Sequence, residues 1–131
     1  MNLLDKLKGV HEQYGKIIVA FDFDDTLYAY GMYGDEAAIS KAQSLVYRCL
    51  ETGQTILLFT CREGNLLDEA LFFCEQNGMF FEHVNENPLQ TFTSRKPFFN
   101  ILIDDKAGIY EASKILEEYL DWVEQKNGEK A

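Results

Sequence analysis

The stretch Ile17 to Phe23 is almost continuously apolar, broken by one aspartate, and it runs straight into Asp24 and Asp25. A short run without polar alternation suits a strand covered on both faces, the situation of a parallel sheet beneath helices. Thr55 to Thr60 (TILLFT), Met79 to Val84 (MFFEHV) and Ile101 to Ile103 (ILI) repeat the pattern. The segments between them carry helical periodicity instead. Leu3, Leu4, Leu7 and Val10 predict a short N-terminal helix ending near Gly15. Asp35 is placed to cap a helix over Ala37 to Leu50, closed by Gly53. Leu67, Ala70, Leu71 and Cys74 share one face of a helix from Leu66 to Asn77, ended by Gly78. Ile109, Ala112, Leu116, Leu120 and Val123 predict a last helix from about Ala107 to Gln125. Asn87 to Phe99 is irregular and contains both prolines, and the loop from Asn85 to Phe99 is long for a compact α/β domain.

Strands alternating with helices imply a three-layer, Rossmann-like α/β fold with a parallel sheet and helices on both faces. The 131 residues suit one domain spanning residues 1–131, and no internal repeat or linker divides them. An apolar share of 47% with 26% charged residues is that of a folded chain and excludes disordered and collagen-like classes.

Charge narrows the partners. Twelve basic against 22 acidic residues leave a net charge of −10. Such a chain repels phosphate backbones, which argues against general nucleic-acid binding and against docking on anionic membranes. No run reaches the ~18 apolar residues that a membrane span needs, and Met1 to Val10 lacks the apolar core of a signal peptide. Cys49, Cys61 and Cys74 fit neither a disulfide framework nor a CxxC metal site, so a reducing, cytoplasmic setting is expected. A homo-oligomer is compatible with all of this.

The chemistry is concentrated where the strands stop. The first strand ends in Asp22-Phe23-Asp24-Asp25-Thr26, the second in Thr60, the fourth in Asp104-Asp105. In an open parallel sheet, ligands bind at the carboxyl ends of the strands, where the strand order reverses. With strands one and four adjacent, the order is 3-2-1-4 and Asp22, Asp24 and Asp104 converge. Clustered carboxylates do not all ionise cheaply without a cation. Hard oxygen donors favour Mg²⁺, which takes one or two carboxylates together with substrate phosphate oxygens. Asp22 and Asp24, two apart on an extended stretch, can both address the site while Phe23 faces the core. One carboxylate can attack phosphorus while the other handles the leaving-group proton. Thr60 supplies a hydroxyl, and Lys96, beside Arg95, is the only lysine between Thr60 and Asp104. Arg62, just past Thr60, is within reach either of substrate or of a surface ion pair.

These motifs resemble those of the haloacid dehalogenase-like (HAD) superfamily of phosphohydrolases, in the right order, from Ile17 to Gly108. DxDxT matches Asp22 to Thr26, the strand-ending Thr matches Thr60, the Lys matches Lys96, and the acidic pair matches Asp104-Asp105. The resemblance implies a Mg²⁺-dependent phosphomonoester hydrolase, a phosphatase working through an aspartyl-phosphate. Asp22 would be the nucleophile and Asp24 the general acid, then the base for water. Mg²⁺ would be held by Asp22, the Asp24 carbonyl and Asp104, supported by Asp105. Thr60 and Lys96 would bind the phosphoryl group, and Lys96 would also restrain Asp22. Position 25 departs from the pattern: many members have Gly, whereas Asp25 either adds charge or caps the turn. A small subgroup shares Leu66-Leu67-Asp68-Glu69-Ala70, Ser94-Arg95-Lys96 and the Asp104-Asp105 pair. The spans after Leu27 and after Thr60 leave no room for a cap domain, so an open site is expected, suited to a phosphorylated small molecule or macromolecule.

Two other readings compete. A phosphate-binding signalling domain of receiver type uses similar residues, but its acceptor Asp follows the third strand, and here that strand ends in His83-Val84-Asn85. A Mg²⁺ nuclease could use the same carboxylates, against which the net charge speaks. Tyr28, Tyr30, Met32 and Tyr33 cluster after the first motif, positioned to stack on an aromatic leaving group or to pack against the sheet end. His11 and His83 are expected in structural roles, and Tyr119 and Trp122 widen the apolar stripe of the last helix, for core packing in preference to an interface.

Overall fold

A computed structural model describes residues 2–31, 34–89, 98–105 and 108–130. In chain order the elements are α1 (Leu3–Tyr14), β1 (Ile18–Phe21), α2 (Glu36–Thr52), β2 (Thr55–Leu58), α3 (Gly64–Gln76), β3 (His83–Val84), β4 (Ile101–Ile103) and α4 (Ile109–Lys130). The strands form one sheet in the order β3-β2-β1-β4, parallel at every pairing and flanked by the four helices. This is the α/β architecture and strand order that the alternating pattern implied.

The apolar runs are continuous because both sets of alternating side chains are buried. Val19, Phe21, Phe23, Ile56, Leu58, Ile101 and Ile103 join one core with side chains from all four helices. The intervening Ile18, Ala20 and Leu57 are buried as well. Helix ends follow the residues that favour them. Asn2 and Asp35 accept from Asp5 N and Ala38 N at the starts of α1 and α2, while Gly15 and Gly53 close those helices in the left-handed conformation.

Element boundaries differ from the sequence-based expectation by a few residues, and most at the third strand and at two helices. The third strand, expected over Met79 to Val84, pairs with β2 only at His83 and Val84. Met79 is buried in the core and Phe81 packs edge-on against Phe21, while Phe80 between them is exposed, so these residues contribute side chains to the core without extending the ladder. Helix α3 starts at Gly64, before Leu66, and α4 continues past Gln125 to Lys130. The apolar stripe of α4 stops at Val123, but Lys126 extends its docking, pairing with Glu12 at 2.6 Å and lying 4.5 Å from the Trp122 ring centre. Among the described residues no helix is long and apolar enough to cross a membrane.

A buried polar chain ties α1, β1, β2 and α4 together. Gln54 Oε1 accepts from Ile17 N and from Tyr119 Oη, both at 2.9 Å, and Tyr119 Oη lies 3.0 Å from His11 Nδ1. His11 and Tyr119 thus take the structural roles expected of them, with His11 also edge-on to Trp122. Gln54→Leu keeps the bulk and removes the shared acceptor, leaving the buried Ile17 N–H unsatisfied and Tyr119 Oη with His11 in place of two partners. It should destabilise the protein by about 2 kcal/mol, read as a lower urea midpoint at unchanged slope.

Candidate active site

The register brings the ends of β1, β2 and β4 level. Phe21 pairs with Leu58 on one side and Ile103 on the other. Asp22, Phe59 and Asp104 therefore leave the sheet side by side, with Asp22 N donating to Ile103 O and Phe59 N to Phe21 O, both at 2.9 Å. Here Asp22, Asp104 and Asp105 each offer a carboxylate oxygen, and these atoms all lie within 4.8 Å of one another.

The turn after β1 is built around its own carbonyl. Phe23 O accepts from Leu27 N at 2.9 Å and Tyr28 N at 3.2 Å, while Thr26 and Leu27 are fully buried beneath. Asp25 adopts the left-handed conformation at φ 59°, which Asp tolerates better than most residues. Its Oδ1 accepts from Tyr30 N at 3.0 Å, so its carboxylate caps the turn. Gly at this position would satisfy the same backbone without supplying the cap. Thr26 fastens the two acidic segments together: its Oγ1 accepts from Asp105 N at 3.0 Å and reaches Asp22 Oδ2 at 3.5 Å.

Crowding sets the electrostatics. Burial, then the negative charge of Asp104, pushes the Asp22 carboxyl up to about 7; Asp105 and Asp24 add to the rise, and the Phe23 N–H opposes it. Three hard oxygen donors this close, one of them reluctant to ionise alone, form a donor set that suits a small divalent cation.

Asp24 behaves differently. Its carboxylate is turned to Arg62, which donates from Nε at 3.2 and 3.1 Å and from Nη2 at 2.7 Å. The Arg62 side chain is only 11% exposed. Of the two roles open to Arg62 from sequence, this is the ion pair. Thr60, two residues past the end of β2, accepts from Arg62 N on its Oγ1 at 3.2 Å, leaving its own hydroxyl proton to donate. Thr60 N donates to Asn85 Oδ1 at 2.8 Å, and Asn85 N to Leu58 O at 2.9 Å.

The structure thus brings together Asp22, Asp104 and Asp105, with Asp24, Thr60 and Arg62 along the same edge. Lys96 lies outside the described residues, as do Arg95, Met32 and Tyr33. Tyr28 packs against the sheet end: its ring stacks on Phe23 at 5.4 Å and meets Phe73 edge-on at 4.9 Å. Tyr30 is 71% exposed. His83 pairs with Glu86. Cys49 and Cys74 are buried and Cys61 is exposed, all three as free thiols. Sequence alone assigns no role to Thr26 or Asn85. Asn85 carries a signal, an asparagine directly after an apolar strand, where its positive φ of 53° is tolerated.

Fold and site together define an α/β protein with a carboxylate cluster at the carboxyl edge of a parallel sheet. No family model and no curated protein matches the chain. Among solved structures it is similar to a conserved protein from Bacteroides thetaiotaomicron, at 27% identity and a TM-score of 0.63, covering 79% of this chain and 91% of that one.

Proposed function

We propose that the protein is a Mg²⁺-dependent phosphomonoester hydrolase of the HAD type, acting through an aspartyl-phosphate on Asp22. The observation that carries this reading is the convergence of Asp22, Asp104 and Asp105 within 4.8 Å, next to Asp24 and Thr60 on one sheet edge. The carboxylates of Asp22, Asp104 and Asp105, with the Asp24 carbonyl, would hold Mg²⁺. Bound there, the ion would offset the negative charge of nucleophile and phosphoryl group.

The chain's own residues divide the remaining work. A carboxylate oxygen of Asp22 attacks phosphorus as the bond to the leaving oxygen breaks, and Asp24 gives that oxygen a proton. Water then attacks phosphorus and gives its proton to Asp24, orthophosphate departs, and the Asp22 carboxylate is restored. Thr60 orients the phosphoryl oxygens through its hydroxyl, and Lys96 is the cation the motif order assigns to the same group. Thr26 keeps the Asp22 and Asp105 segments in register.

The test is phosphate release from a panel of sugar phosphates, nucleotides, phosphoamino acids and aryl phosphates, with Mg²⁺ and with EDTA. Release that requires Mg²⁺ is expected, and the best member names the substrate class. A folded, Mg²⁺-binding protein that releases phosphate from none of them contradicts the reading.

A further inference from the structure

We propose that Arg62 is a positioning residue that exchanges partners: it holds the Asp24 carboxylate aside in the substrate-free protein and turns to the phosphoryl oxygens when substrate arrives, releasing the Asp24 side chain towards the site. The inference rests on the phosphoryl-transfer reading above and assigns the event that repositions Asp24.

Asp22 and Asp24 lie on one extended stretch, yet only Asp22 joins the carboxylate cluster. Arg62 draws Asp24 aside with hydrogen bonds to both carboxylate oxygens. With both of its oxygens engaged by the guanidinium, the Asp24 carboxylate faces Arg62 and not the cluster; once released, the side chain, 33% exposed, is free to turn along the same edge towards a bound substrate.

Arg62 is built to make the exchange without being lost from the site. Its backbone N–H is fixed on Thr60 Oγ1, at the strand end proposed to bind the phosphoryl group. Its guanidinium lies 4.8 Å from the Phe23 ring centre, 5.7 Å from Tyr28 and 5.6 Å from Tyr30, and Nη1 donates to Leu66 O at 3.2 Å. These rings and this carbonyl hold the planar group whichever anion it faces. Its fork of N–H donors matches a carboxylate and a phosphate equally, so one can replace the other with little reorganisation.

Calorimetric titration of inorganic phosphate into the Mg²⁺-saturated protein tests the exchange through a double-mutant cycle. Removing the competing carboxylate in Asp24→Asn should tighten phosphate binding about tenfold. Arg62→Gln should weaken it by a similar factor, and in the Arg62→Gln background Asp24→Asn should change affinity less than about twofold. Asp25→Asn is the control for charge alone, since it keeps the turn-capping oxygen and should tighten binding less than about threefold. Arg62→Lys, which keeps the charge and loses the fork, replaces Arg62→Gln if that variant does not fold. An Asp24→Asn effect that is the same with and without Arg62, or that Asp25→Asn matches, overturns the exchange. Coupled phosphate binding in a protein that hydrolyses no phosphomonoester overturns the hydrolase reading and leaves the exchange standing. A Mg²⁺-saturated wild type that binds no phosphate overturns both.

Discussion

Asp22→Asn should abolish Mg²⁺-dependent phosphate release and at the same time make the metal-free protein more stable. The kinetic half follows from chemistry: an amide cannot serve as the attacking group, and loss of a nucleophile typically lowers turnover by ~10³-fold or more. The stability half follows from crowding. Burial and Asp104 push the Asp22 carboxyl up to about 7, so at pH 8 the fold carries a charge it would be better without. Discounted for solvent screening, the relief is on the order of 1–2 kcal/mol. The comparison is turnover and thermal midpoint of both proteins in EDTA and in Mg²⁺. A variant that stays active, or that melts lower than wild type in EDTA at pH 8, contradicts this account of Asp22.

Mg²⁺ should stabilise the protein more at pH 8 than at pH 5. Below the ordinary carboxylate range Asp22 is protonated in both folded and unfolded chains and contributes nothing to the difference. Between that range and about 7 the folded chain keeps a proton that the unfolded chain has lost, so metal-free stability falls as pH rises through this window. Binding a cation requires the ionised carboxylates, so at pH 5 it must displace the Asp22 proton and at pH 8 it need not. At an Mg²⁺ concentration 100 times the dissociation constant the gain is about 2.7 kcal/mol, and Asp104→Asn should remove most of it. An equal rise in melting temperature at both pH values, or one undiminished in Asp104→Asn, argues against Mg²⁺ at this cluster.

The fold was legible in the sequence because its determinants are local. Strands buried on both sides leave unbroken apolar runs, and Gly15 and Gly53 mark helix ends by the conformation they alone adopt cheaply. Met79 to Glu82 differ from the expected strand because an apolar stretch that packs on the core outside the ladder has the same composition as one inside it. In the site, Asp22, Asp104 and Asp105 could be brought together on paper, since a strand order and a parallel register suffice to align three strand ends. What joins them could not. Thr26 meets Asp105 across most of the chain, and Asn85 supports Thr60 through a side chain that looks like ordinary loop polarity. Arg62 stood open between substrate and ion pair because only the folded turn shows Asp24 within its reach.

The central claim is that Asp22 carries the phosphoryl group. The direct measurement is the mass of the Asp22-containing peptide from protein quenched in acid during turnover of an aryl phosphate with Mg²⁺. The account predicts a phosphoryl adduct on Asp22, lost in EDTA and absent from Asp22→Asn. Turnover with no adduct on Asp22, or with the phosphoryl group on another residue, would contradict it.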